Sequence, residues 1–297
     1  MKRTRLAALV IVLALVVASC GGKDGKDTKT STSAGASSSS SSVAATGGGS
    51  TTPTTAPPVP QSVEGLQVWL RGDAGVASSE GKVMRWDDQT SNGLNAAQGE
   101  PGRQPTLDPH ALNGHQGLRF DGVDDGLTIP FNLSPGANPN ITVFTVFSTE
   151  EVPRGTLRKL YGHDDGGYDR ATGWDDRALP VKFVFFAGSG AKAYFDPTPR
   201  SATITSDIWT PTTFSGYVNG QQRQLNVAQS ASAGQATMAL GGIRPNSALA
   251  PGASQVHPGG FEPWQGVIAE FLIYNRALGA EERQRVETYL MNKYGIG

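Results

Sequence analysis

The run ITVFTVF at 141–147 alternates with period two. Thr142, Phe144 and Val146 fall on one face of an extended chain, and Ile141, Val143, Thr145 and Phe147 on the other. Similar short runs recur: LQVWLR (66–71), LRF (118–120), KFVFFA (182–187), AKAYF (191–195), FSGYV (214–218), RQLNVA (223–228) and VIAEFLIY (267–274). Gly, Pro, Asn and Asp separate them, which is turn chemistry. Asn219-Gly220 joins FSGYV to RQLNVA. A two-residue type I′ turn needs φ > 0 at both positions, so Asn-Gly predicts a hairpin there. Many short strands in one region predict an all-β domain, built as a two-sheet antiparallel jelly-roll sandwich.

The last stretch has a different period. In AEERQRVETYLMNKYG (280–295), Val286, Tyr289, Leu290 and Tyr294 recur at helical spacing. Glu281 and Glu282 suit the positive end of a helix, and Gly295 suits its C-cap. A short C-terminal helix closing the fold is expected.

The beginning is neither strand nor globular helix. Lys2, Arg3 and Arg5 precede the apolar run Leu6 to Ala18. That run is short of the roughly 20 residues a membrane span needs, and fits a secretory leader over 1–19. Val17-Ala18-Ser19-Cys20-Gly21 resembles a bacterial lipobox. The resemblance implies cleavage before Cys20 and acylation of its thiol, hence a membrane partner through the N-terminal lipid and a place in the bacterial cell envelope. Cys20 is the sole cysteine, so the fold is expected to hold without a disulfide. From Gly21 to Pro60, everything except Lys, Asp and two valines is Gly, Ser, Thr, Ala or Pro. Such a segment cannot offset its ordering entropy by burial, and 20–60 reads as a flexible tether with a mean reach of about 35 Å. The folded domain is then 61–297.

Lys and Arg total 25 against 26 Asp and Glu, and the leader removes three basic residues and no acidic ones. The small acidic excess gives no footprint for nucleic acid.

VWLRGDAGV, VMRWDDQTSNGLNAAQ, QPTL, GLRFDGVDDGLTI, YVNG and GVIAEFLIYNRAL…YLMNKYG follow in order. This series resembles the bacterial laminin-G-like modules of the concanavalin A-like lectin/glucanase superfamily, over nearly all of 63–296. The resemblance implies a two-sheet jelly roll. It also implies a glycan or an extracellular or envelope protein as partner, often with calcium at a rim. Carbohydrate-active enzymes share the fold, so the fold does not choose between binding and catalysis.

Catalytic signatures are missing. There is no Glu-x-Asp-x-x-Glu strand, HExxH or GxSxG, and the four histidines are not at ligand spacing. The acidic pairs Asp87-Asp88 and Asp124-Asp125, and the tripeptide Arg71-Gly72-Asp73, read as turn and fold residues. The densest polar stretch is YGHDDGGYDRATGWDD at 161–176, expected as a loop between a strand ending near Tyr161 and one beginning near Lys182. Asp164, Asp165 and Asp169 could offer calcium hard oxygens, and Asp175 and Asp176 could add to them. Tyr168 and Trp174 could stack on a sugar, with Arg170 beside them. Alternatively, Arg170 and Arg177 pair with these carboxylates and the stretch is only a polar loop; a catalytic role is the third reading. The function expected is display of a glycan- or protein-binding module, with a glycosidase-like enzyme or a ligand-free envelope scaffold as alternatives.

Overall fold

The structure is a computed structural model that describes residues 60–151, 155–163, 170–177, 182–188, 190–231, 237–243 and 262–297. Its strands, in chain order, are β1 (Leu66–Arg71), β2 (Val76–Ser79), β3 (Lys82–Trp86), β4 (Ala96–Ala97), β5 (Thr106–Leu112), β6 (His115–Asp121) and β7 (Leu127–Ile129). Then come β8 (Ile141–Thr149), β9 (Leu157–Gly162), β10 (Ala171–Asp175), β11 (Phe183–Phe186), β12 (Ala191–Phe195) and β13 (Thr203–Trp209). The last are β14 (Thr213–Val218), β15 (Gln221–Ala228), β16 (Met238–Leu240), β17 (Gly242–Ile243), β18 (Glu262–Pro263) and β19 (Gln265–Tyr274), before one helix, α1 (Ala280–Tyr294). The leader, Cys20 and the tether lie outside the described residues.

Pairing is antiparallel and forms two arms. In one, β19 pairs β1 and β6 on one side and β8 on the other, and β8, β13, β14 and β15 follow in order. In the other, β12, β11, β10, β9, β16, β7, β4, β3 and β2 succeed one another. The arms are not two separate sheets, as the sequence led us to expect. β5 pairs both β3 and β6 and joins them into one 17-stranded sheet, beside which β17 and β18 form a small ladder.

This sheet curls so that its arms face each other. Phe147 on β8 stacks on Phe183 of β11 at 5.3 Å, and Phe185 of β11 on Phe214 of β14 at 3.9 Å. The predicted face of β8, Ile141, Val143 and Phe147, lies in this interior, together with Trp86, Trp209 and Trp264. Phe144 and Val146, on the opposite face, pack under α1 with Val286, Leu290 and Tyr294. Every residue of β8 is therefore buried. The far edges, β12 and β15, meet at a seam where Gln224 Nε2 donates to Ala193 O at 2.9 Å.

The local predictions for the hairpin and helix hold. Asn219 and Gly220 take φ of 48° and 74° between β14 and β15. Gly295 ends α1 at φ 61°, ψ 41°, and at the other end Glu282 Oε2 accepts the Gly279 N–H at 3.2 Å.

Candidate functional site

Asp164, Asp165, Tyr168 and Asp169 lie outside the described residues. The rest of that polar stretch is not one loop. Tyr161 and Gly162 end β9, and Ala171–Asp175 is β10, paired back onto β9. Gly173 permits this pairing, since a Cβ there would collide with the Arg158 carbonyl.

Neither Arg170 nor Trp174 presents a face to a ligand. Arg170 is fully buried, and its guanidinium donates to the carbonyls of Leu133, Asn138, Pro139 and Thr210 at 2.7–3.2 Å. It ties the β7–β8 connection to the β13–β14 connection, with a carbonyl for each of its bonds as a buried charge requires. Trp174 is 2% exposed and packs in the interior. The expected Asp–Arg pairing occurs at Asp175, which takes Arg177 Nε and Nη2 at 2.9 and 3.0 Å. Asp176 Oδ1 accepts the Thr156 N–H at 2.9 Å.

The other acidic motifs divide in the same way. Asp88 is buried and accepts from Trp69 N, Thr90 N, Thr90 Oγ1 and Leu94 N, so it is a structural anchor. Asp87 pairs with Arg85. Asp73 pairs with Arg71 and Lys293, which makes the Arg-Gly-Asp tripeptide part of the packing around α1. These ion pairs hold the Asp73 carboxyl down to about 2 against the burial that would raise it.

Several acids are buried without any signal in the sequence, among them Glu270, Glu287 and Asp207. Asp207 on β13 is fully buried, and Tyr161 and Tyr194 donate their hydroxyls to its two oxygens, each at 2.8 Å. Trp209 Nε1 donates in turn to Tyr161 Oη at 3.2 Å. Burial pushes the Asp207 carboxyl up to about 7, although both hydroxyls favour its charged form. The network links the two arms across the interior. Asp207 has no exposed surface, and its role is in packing.

At the seam the surface opens into a cleft of about 390 Å³, within the size range of small-ligand sites. Its walls are the end of β12, the chain leading into β13, and the β14–β15 turn. Phe195 and the edge of the nearly buried Tyr194 supply its aromatic lining, and Asp196, Asn219 and Arg223 its polar lining. Gly216 makes room for Tyr194: a Cβ there would lie 2.5 Å from the tyrosine hydroxyl. Asp196 Oδ1 accepts the Lys182 N–H at 2.9 Å, and Asn219 Oδ1 the Ile204 N–H at 2.8 Å, so both side chains are fixed by backbone. Arg223 is exposed. The sequence signal for this cleft was the Asn-Gly turn beside AKAYFD, legible as a hairpin but not as a wall.

A second cavity of about 290 Å³ opens at the same end of the sheet, lined by Arg119, Asp121, Asp125, Glu150 and Gln265. Glu150 links the two openings. It takes Arg119 on one side and Arg200 Nε, at 2.6 Å, on the other, and Arg200 precedes Ser201 of the first cleft. The DGVDD turn behaves as expected for Asx chemistry: Asp121 Oδ1 accepts from Val123 N and Asp124 N. Asp125 is more than a turn residue. It is 1% exposed, and burial, with Asp121 and Asp124 adding to it, pushes its carboxyl up to about 6.

No protein-family model and no curated protein matches the chain. Solved structures do. A Trypanosoma rangeli sialidase superposes with a TM-score of 0.52 at 18% identity, covering 80% of this chain. The chain spans only 34% of that sialidase's length. Domain 4 of AbnA, a GH43 extracellular arabinanase from Geobacillus stearothermophilus solved in complex with arabinotriose, superposes with a TM-score of 0.51 at 14% identity, covering 75% of this chain and 98% of that one. At these identities the likeness is one of fold.

Proposed function

We propose that the chain is a glycan-binding module displayed at the bacterial cell envelope through an acylated Cys20 and a flexible tether. Its curled sheet is then a jelly roll of the laminin-G-like, concanavalin A-like kind. The observation that carries this reading is the cleft at the β12–β15 seam. A sugar offers an apolar ring face rimmed by hydroxyls. Phe195 matches the face, while the Asp196 carboxylate, the Asn219 amide and the Arg223 guanidinium match the rim. The carbohydrate-related proteins that share the fold support the same reading, and the arabinotriose-bound domain does so over nearly its full length.

Binding is favoured over cleavage by the donor set. Glycosidases typically use two carboxyl groups flanking the scissile bond, about 5–10 Å apart. The described lining of this cleft includes one, Asp196. A glycan array probed with the full chain tests the proposal. Selective retention of a small set of glycans is expected, with no release of reducing sugar from those retained. Retention of none would sink the glycan reading. Release of sugar that stops in Asp196→Asn would replace binding by catalysis.

A further inference from the structure

We infer that the Asp121–Asp125 turn is a divalent-cation site, and that its cation is calcium. Carboxylate oxygens of Asp121, Asp124 and Asp125 all lie within 4.8 Å of one another. Oxygens that share one calcium at 2.3–2.6 Å can be at most about 5 Å apart, so each pair here lies within the span of one ion. Three acids in five residues are nevertheless a common turn composition, and the spacing alone assigns nothing.

A second observation points to a ligand. Asp125 is 1% exposed, and its two oxygens are treated differently by the protein. Oδ2 accepts the Asp121 N–H at 2.9 Å, which fixes the carboxylate across the base of the turn. Oδ1 is buried with no hydrogen-bond donor in reach. A buried carboxylate oxygen left without a donor costs free energy, and a cation held also by Asp121 and Asp124 would supply what is missing. The cavity of about 290 Å³ onto which Asp121 and Asp125 open provides access and space for water ligands.

The nearby cations direct their hydrogen bonds away from the cluster's carboxylates. Arg119 is committed to Asp108 and Glu150, and Lys82 Nζ donates to Gln104 O. Arg158 Nη1 donates to the carbonyls of Gly122 and Pro263, holding the turn's backbone rather than its carboxylates. The donor chemistry selects among metals. The three carboxylates are hard ligands, and the cluster includes no histidine or cysteine, which disfavours zinc. An irregular five-residue turn suits the flexible coordination of calcium better than the strict octahedron of magnesium. Neighbouring carbonyls and water would complete the sphere.

This inference stands apart from the glycan proposal, because the turn lies in the second cavity and not at the seam. It also differs from the calcium expectation for Asp164, Asp165 and Asp169. The test is calorimetric titration of the full, chelator-stripped chain with CaCl₂ and, separately, MgCl₂. Calcium is expected to bind in the range of extracellular modules, about 0.1–1 mM, and more tightly than magnesium. Asp125→Asn should weaken calcium at least about tenfold. Asp124→Asn, at a partly exposed position where misfolding is a smaller risk, should do the same. The double variant Asp164→Asn/Asp169→Asn should leave this binding intact. No calcium heat up to 10 mM would overturn the assignment, as would binding that survives Asp124→Asn and disappears in the Asp164/Asp169 variant.

Discussion

Asp207 shows how one residue can set the chemistry of an interior. A carboxylic acid in the middle of a strand is disfavoured by β-propensity, and burial adds a desolvation cost. Two tyrosines offset part of it by donating to both oxygens. The folded-state pKa, about 7, lies above the unfolded value of about 3.9. Its contribution to stability is therefore complete below about pH 4 and is lost as pH rises toward 7. The loss is on the order of 3–4 kcal/mol for a group this buried. Thermal melts from pH 4.5 to 8 should show the wild type losing stability relative to Asp207→Asn across that window. Parallel curves for the two proteins would mean that Asp207 is ionised throughout. Arg170 makes a related point. In sequence it looked like a partner for acids or sugars; in the fold it serves four carbonyls. Type and neighbourhood in sequence could not distinguish these fates, because the carbonyls come from residues more than thirty positions away.

At the scale of elements, what was legible depended on how many faces each element buries. β8 and β19 are buried on both faces, since one face meets the other arm and the other meets α1, and their largely apolar sequences read clearly as strands. α1 carried both periodicity and caps. β13, TITSDIW, escaped notice. Its inward residues are Thr203, Thr205, Asp207 and Trp209, and its outward face includes Ser206, whose hydroxyl donates to Glu287 of α1 at 2.7 Å. A strand that satisfies its polar groups against a buried network has no clean hydrophobic alternation to find. β10 was hidden in the same way inside an aspartate-rich stretch expected as a loop, whereas β9 ends at Gly162, close to the strand end expected near Tyr161. The helix end gives a direct check of the local reading. Gly295→Ala forces an L-residue into the left-handed region, at about 1–2 kcal/mol. For a domain of this size the melting temperature should fall by about 2–8 °C. An unchanged melt would show that the C-cap contributes nothing.

For the whole molecule, the order of weak motifs carried more than any one of them. It anticipated an antiparallel all-β architecture with a terminal helix, though not the β5 bridge that makes its arms a single sheet. A bridge made through one residue pair with β3, Lys82 to Thr106, leaves no pattern in sequence. The cleft was illegible for a related reason. Phe195, Asn219 and Arg223 come together only because the edge strands of the two arms meet at the seam. The anchor is read from sequence alone and has its own check. Metabolic labelling with palmitate should mark the wild type and not Cys20→Ala; labelling that persists in the variant would remove lipid attachment at Cys20.

The central claim is that the seam cleft holds a sugar, and calorimetric titration tests it most directly. The full chain and its Arg223→Ala variant are titrated with the glycan most strongly retained on the array. Arg223 is exposed, so the variant should melt at the wild-type temperature and bind at least about tenfold more weakly, the loss expected for a charge-assisted hydrogen bond. Equal affinity in the two proteins would place the sugar elsewhere and contradict the account.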